Sequence, residues 1–158
     1  MEILPYKKGD ATVLMALMFD STRVLCKNDY TPEELSKWVP ERMDKARFMR
    51  SLALSYVRVA HMDGEIVGFA DMDESGYLNR LFVAPDFGRR GVGTALLNEM
   101  EKHAKKKGIH TISLISSITS KGFYQKNGYT LLGEKYLSVK PVRVKGYKME
   151  KRMEGSGS

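Results

Sequence analysis

At 158 residues, with 42% hydrophobic and 28% charged residues, the chain has the size and composition of one ordinary globular domain, which excludes wholesale disorder and any need for disulfides or metals to hold a core. A formal net charge of +7 favours an anionic partner, either nucleic acid or a phosphorylated small molecule. Cys26 is the only cysteine; it excludes an internal disulfide, fits a reducing cytoplasm, and reads better as a small buried apolar residue than as a nucleophile. Met1 is followed by no basic-then-apolar leader, and the early apolar run Ala11 to Phe19 is too short to span a bilayer. A single domain over residues 1–154 is expected, with the tail "GSGS" at 155–158 a linker or cloning scar outside the fold.

"EILPYK" reads as a first strand, and Asp10 as the cap of a helix running from Ala11 to about Leu25. In "YTPEELSKW", Thr31 at the cap, Pro32 at the first helical position and Glu34 three residues after the cap form a capping box that opens a second helix, with another from about Glu41 to Ser51. "YVRVAHM" and "EIVGFAD" flank an Asp-Gly turn and predict a hairpin. "YLNRLFV" predicts a further strand ending before Pro85. The next helix carries Val92, Leu96, Met100 and Ala104 on one i+4 stripe. Its lysines 102, 105, 106 and 107 complement the dipole ahead of Gly108. "TISLIS" gives another strand, Ser120 to Asn127 a short helix stopped by Gly128, and "YTLLGEKYL" and "YKMEKRM" the last strands. The order β-α-α-β-β-β-α-β-α-β-β predicts an α/β mixed sheet with helices on both faces.

The junction "FGRRGVGTALL" carries the chemistry. "GRRG" matches the G-x-x-G loop of a KH domain, which clamps a nucleic-acid backbone, but that loop joins two helices and here a strand precedes it. No G-K-[ST] follows, and Leu96 stands where a Rossmann motif needs its third glycine, so neither standard nucleotide fingerprint fits. What remains is a strand, a glycine-rich loop and a helix whose first amides, at Gly91, Val92, Gly93 and Thr94, have no helical carbonyl to bond. Such amides at the positive end of a helix dipole form an anion site, and the missing side chains of Gly91 and Gly93 admit a phosphate. The bland alternative is a tight turn. Downstream, "SKGFYQKNGY" places Phe123 and Tyr124 on a short helix, where an aromatic pair is ordinarily core.

Taken together, G-x-x-G-x-G followed by F-Y-x-K-x-G-Y resembles the GNAT superfamily of acyl-CoA-dependent N-acetyltransferases, and "YTPEELSKW", "LNRLFVAPDFGRRGVGTALL" and "SITSKGFYQKNGY" look most like its bacterial YafP-like branch. The resemblance covers nearly the whole chain. It implies a mixed sheet of about six to seven strands, splayed between the fourth (about Tyr77 to Val83) and the fifth (about Thr111 to Ser116), with acetyl-CoA as cosubstrate in the gap. The pyrophosphate would rest on the amides from Arg89 to Thr94, with Arg89 and Arg90 adding charge. The pantetheine would pair like a strand with Leu81, Phe82 and Val83.

The implied reaction is attack by a primary amine on a thioester in a ternary complex. Coenzyme A leaves as a thiolate whose conjugate acid has a pKa of about 8.5, near enough to tyrosine's roughly 10 for Tyr124 to protonate it. The carbonyl oxygen needs an N–H, expected from the backbone near Leu81 or Phe82. Two positions depart from the superfamily pattern: Gly88 stands where many relatives carry glutamine or arginine, and Asn79 where many carry a carboxylate that relays the amine proton. The general base is therefore unassigned, with Asp71, Asp73, Glu74 and His61 reachable only through water. His61, His103, His110 and Cys26 show no metal-ligand spacing. Met18, Phe19, Tyr30, Trp38 and Tyr136 are candidates for the acceptor pocket, which their character suits to a small amine. The expected partner is a small-molecule amine rather than a membrane or nucleic acid, and the chain a monomer or homodimer. A toxin-like acetyltransferase of aminoacyl-tRNA and a non-catalytic module binding coenzyme A or RNA stand as alternatives.

Overall fold

A computed structural model describes residues 1–139 and 142–154; the expected tail at 155–158 lies outside them. Strand β1 (Glu2–Pro5) leads into helix α1 (Ala11–Leu25), then α2 (Pro32–Trp38) and α3 (Lys45–Ala53). Strands β2 (Tyr56–Met62), β3 (Glu65–Met72) and β4 (Leu78–Val83) follow, then α4 (Val92–Lys106), β5 (Thr111–Ser117), α5 (Lys121–Lys126), β6 (Thr130–Val139) and β7 (Val142–Arg152). The strands follow the predicted order, three separate helices stand where that order counts two before the hairpin, and the sheet is split as the resemblance implied. One antiparallel half runs β1-β2-β3-β4 and the other β5-β7-β6. Between them only an isolated parallel bridge, Tyr77 to Ser113, is found among the described residues.

Local chemistry explains where the elements begin and end. Thr31 and Glu34 form the capping box, Thr31 Oγ1 accepting from the Glu34 amide at 3.1 Å and Glu34 Oε1 from the Thr31 amide at 2.8 Å. Asp63 (φ 51°) and Gly64 (φ 79°) both take the left-handed conformation that a two-residue hairpin turn demands. Three boundaries differ from the sequence reading. Asp10 accepts from the Lys7 amide and so closes a 3₁₀ turn ahead of α1, giving α1 no side-chain cap. The third helix starts at Lys45, because Asp44 Oδ1 accepts from the Arg47 amide. Strand β7 starts five residues before Tyr147, at Val142, since register with β6 overrides the poor strand propensity of Gly146.

Both faces are covered. The predicted α4 stripe is fully buried, joining Ala70 and Met72 of β3 and Leu114 of β5 in one core. Helices α1 and α3 press Leu14, Phe48 and Leu52 against Val59 and Phe69 on the opposite face. A third cluster, Tyr30, Leu35 and Val144, seats α2 on β7. At Gly68 a Cβ would lie 2.9 Å from the Phe82 carbonyl oxygen and 3.0 Å from Val92 Cγ1. That absent side chain lets the first turn of α4 lie directly on β3, which fixes its N-terminus beside the end of β4.

Candidate active site

The register places Asp71 opposite Arg80 but Met72 opposite Leu78, so Asn79 is an extra residue on β4. Such a bulge bends and twists its strand, and here it stands where β4 parts from β5. Beyond it the Ala84 amide donates to Val67 O at 2.8 Å. Amides alternate sides along a ladder, so the Phe82 amide turns toward β3 while those of Leu81 and Val83 face the open gap.

Beside that edge the chain enters α4 through a 3₁₀ turn at Pro85–Phe87 and the loop Gly88 to Gly91. Arg89 (φ 63°) and Gly91 (φ 81°) are both left-handed, a backbone pattern that turns successive N–H groups toward one concavity. The first helical bond runs from the Ala95 amide to Gly91 O, leaving the amides of Val92, Gly93 and Thr94 without helical acceptors. Arg89 is exposed, as is Arg90, whose guanidinium lies 5.3 Å from the centre of the Phe87 ring. A Cβ on Gly93 would meet Phe123 Cζ at 3.3 Å and Val83 Cγ2 at 3.7 Å. Gly93 therefore has a packing reason to lack a side chain.

A cavity of about 330 Å³ joins these parts, walled by Leu81 to Val83, Gly93, Phe123 and Tyr124 on one side and by α1 and α2 on the other. Tyr124 is 6% exposed. Its ring meets Phe123 and Tyr129 edge-on, with centroids 5.1 and 5.7 Å away. Burial alone pushes its phenol up, and its hydroxyl has no hydrogen-bond partner among the described residues. Tyr129 is anchored in turn by Glu101, whose carboxylate accepts from the Tyr129 hydroxyl at 3.0 Å and from Lys151 Nζ at 2.9 Å. Cys26 also lines the cavity, half-buried, with its thiol pushed up chiefly by burial.

Of the base candidates, none of the four lines this cavity. Asp71 is fully buried and gives one oxygen to Arg80 Nη1 at 2.6 Å, while its other oxygen has no partner. Burial pushes its carboxyl up, against the pull of the Arg80 guanidinium. Asp73 is occupied by a turn, its Oδ1 accepting from Ser75 and from the Tyr77 amide. Glu74 is exposed, and His61 sits in the β2–β3 ladder. Among the described residues no group of three or more His, Cys, Asp or Glu could hold a metal.

The acceptor candidates divide. Met18 is core, and Phe19 lies under the Arg23 guanidinium, 4.4 Å from its ring centre. Tyr30 and Trp38 line the first cavity, and Trp38 and Tyr136 a second of about 290 Å³ that adjoins it through Trp38, Asn79 and Ile115. The Tyr30 hydroxyl accepts from the Ile118 amide at 2.8 Å and donates to Lys145 O, so it fastens the α1–α2 loop to the turn after β5 and to β7. Burial pushes that phenol up to about 12.

The sequence reading missed the Asp71–Arg80 pair and the Tyr129–Glu101–Lys151 network. A signal for the first was present: Asp71 follows Phe69 by two residues and so shares its buried face, where a lone carboxylate needs a cation.

A family model described as acetyltransferase (GNAT) domain matches residues 26–151. Over 128 residues the chain is 32% identical to the uncharacterized N-acetyltransferase YafP of Escherichia coli, spanning 81% of this chain and 80% of that one. A GCN5-related N-acetyltransferase from Rhodopseudomonas palustris superposes with a TM-score of 0.91 at 28% identity, covering 96% of this chain and 94% of the other. The PaiA N-acetyltransferase of Thermoplasma acidophilum, solved in complex with coenzyme A, gives a TM-score of 0.74 at 25% identity over 96% of this chain and 98% of its own.

Proposed function

Because the chain belongs to the family of acetyltransferase (GNAT) domains, of which it is an N-acetyltransferase with acetyl-CoA as cosubstrate, we propose that it moves the acetyl group to the primary amine of a small molecule, in one domain and in the cytoplasm. The observation that carries this reading is the convergence of the free β4 edge, the first turn of α4 at Gly93 and Tyr124 on one cavity.

The residues suit the group they would hold. The amides from Arg89 to Thr94 receive the pyrophosphate, and Gly93 leaves the space that a Cβ would fill. The edge from Leu81 to Val83 offers a strand's worth of pairing to the pantetheine. Acetyl-CoA supplies a thioester carbon that the amine attacks directly: a C–N bond forms, the C–S bond breaks, the nitrogen loses one proton and the sulfur gains one. The Leu81 amide, facing the gap, donates to the carbonyl oxygen, whereas the Phe82 amide belongs to the ladder. Tyr124 delivers the proton to sulfur. Burial keeps its phenol protonated, and the same apolar surroundings raise the proton affinity of a departing thiolate, so donor and acceptor shift together.

No carboxylate lines either cavity among the described residues, so the amine loses its proton to solvent. The test is thiol release from acetyl-CoA against a panel of primary amines across pH. Release should require the amine, and kcat/KM should climb with pH toward the amine's own pKa. Release that ignores the amine, or a plateau well below that pKa, would contradict the reading.

A further inference from the structure

The two cavities differ in their cations: Arg80 in the first is paired with Asp71, and the second holds one that is unpaired among the described residues. The second is walled by Trp38, Tyr77, Asn79, Leu137 and Val144, and Lys135 is its one charged residue among those described. Lys135 shares its sheet face with Gly146, Val144 and Trp38, whereas Arg143 and the Tyr136 ring it covers at 4.2 Å lie on the other face. Among the described residues Lys135 enters no ion pair. The nearby carboxylates are committed elsewhere. Both oxygens of Glu134 are taken, one by Lys145 Nζ at 3.0 Å and one by the Tyr136 hydroxyl at 2.8 Å. Asp73 is held by its turn and Asp71 by Arg80.

A polyamine or diamine entering here would bring a second ammonium toward Lys135, with no free carboxylate to receive it. An amine with an anionic group would meet the opposite situation. Resting on the acetyltransferase reading, we infer that the acceptor is a carboxylate-bearing primary amine with an aromatic or apolar body. Its carboxylate sits at Lys135, its body lies among Trp38, Tyr77 and Leu137, and its amine reaches past Asn79 into the cavity that holds Tyr124. Lys135 is thus a specificity-determining residue, and Asn79 marks the passage that both cavities share.

Three probes share one ring and one aminomethyl group and differ only in the far substituent: 4-(aminomethyl)benzoate, 4-methylbenzylamine and 1,4-bis(aminomethyl)benzene. Each is titrated calorimetrically into the protein with and without saturating coenzyme A, and acetylation of each is followed by thiol release. The benzoate should bind about threefold to fivefold more tightly than the methyl compound, the scale of an ion pair with an exposed lysine, and the diamine most weakly. Lys135→Gln should erase the preference for the benzoate, and Lys135→Glu should place the diamine ahead of it. A parent that binds the diamine as tightly as the benzoate, that binds none of the three, or whose ranking survives Lys135→Glu overturns the inference. Failure of the acetyltransferase reading appears separately, as no heat on adding acetyl-CoA and no thiol release with any amine.

Discussion

Tyr124 is held by its ring alone. Its contacts are the edges of Phe123 and Tyr129, and Tyr129 is locked by Glu101 and Lys151, so the phenol is aimed by packing and makes no hydrogen bond of its own to the described residues. Tyr124→Phe keeps every ring contact and breaks no such bond. The melting temperature and acetyl-CoA affinity should therefore stay nearly unchanged, while turnover falls on the order of a hundredfold or more if the hydroxyl is the proton donor. Acetyl transfer at saturating amine, measured beside thermal unfolding, checks this. A loss of about 1 kcal/mol in stability with turnover within a few-fold of the parent would make the hydroxyl structural instead. The Asn79 side chain cannot serve as a base, and the buried Asp71 answers to Arg80 before any amine.

The element that matters most is the entry to α4. Gly91 has open space around a hypothetical Cβ but a φ of +81°, whereas Gly93 has ordinary helical backbone and a Cβ that would lie 3.3 Å from Phe123. The two glycines should fail differently when replaced by valine. Gly91→Val strains the backbone by about 1–2 kcal/mol and distorts the loop. Gly93→Val displaces Phe123 and fills the cradle, with the acetyl-CoA Kd rising about tenfold or more by calorimetry. Wild-type affinity in both folded variants would place the cofactor elsewhere. This loop, the capping box at Thr31, the Asp-Gly hairpin and the α4 stripe were legible in the sequence because each obeys a rule spanning a few residues. The bulge at Asn79, the start of β7 at Val142 and the Glu101 network were not, because each depends on a partner strand or helix distant in the chain. The resemblance to a known family located the gap between β4 and β5, and the register then distinguished the Leu81 amide from that of Phe82.

Across the whole molecule, the sheet divides into two halves hinged at one bridge, and the cavities lie in the opening. The positive charge is arranged less simply than its total suggests. Lys102, Lys105 and Lys106 lie in the last turns of α4, at the opposite end from the glycine loop, about 20 Å along a helix of fifteen residues. That cluster is separate from the cavities, which speaks for a small acceptor over a charged tRNA. No helix among the described residues is long and apolar enough to cross a membrane. In the proposed reaction the acetyl group passes directly from acetyl-CoA to an amine in this opening, and Cys26, the chain's only thiol, lines the same cavity and offers a covalent detour. The most direct measurement is a single turnover with protein in excess over acetyl-CoA, followed by intact mass and free thiol before and after addition of 4-(aminomethyl)benzoate or another accepted amine. Unmodified protein and no free thiol are expected until the amine is added, then acetylated amine and thiol in equal amounts. Thiol release before the amine, with one acetyl group on the protein at Cys26, would contradict direct transfer.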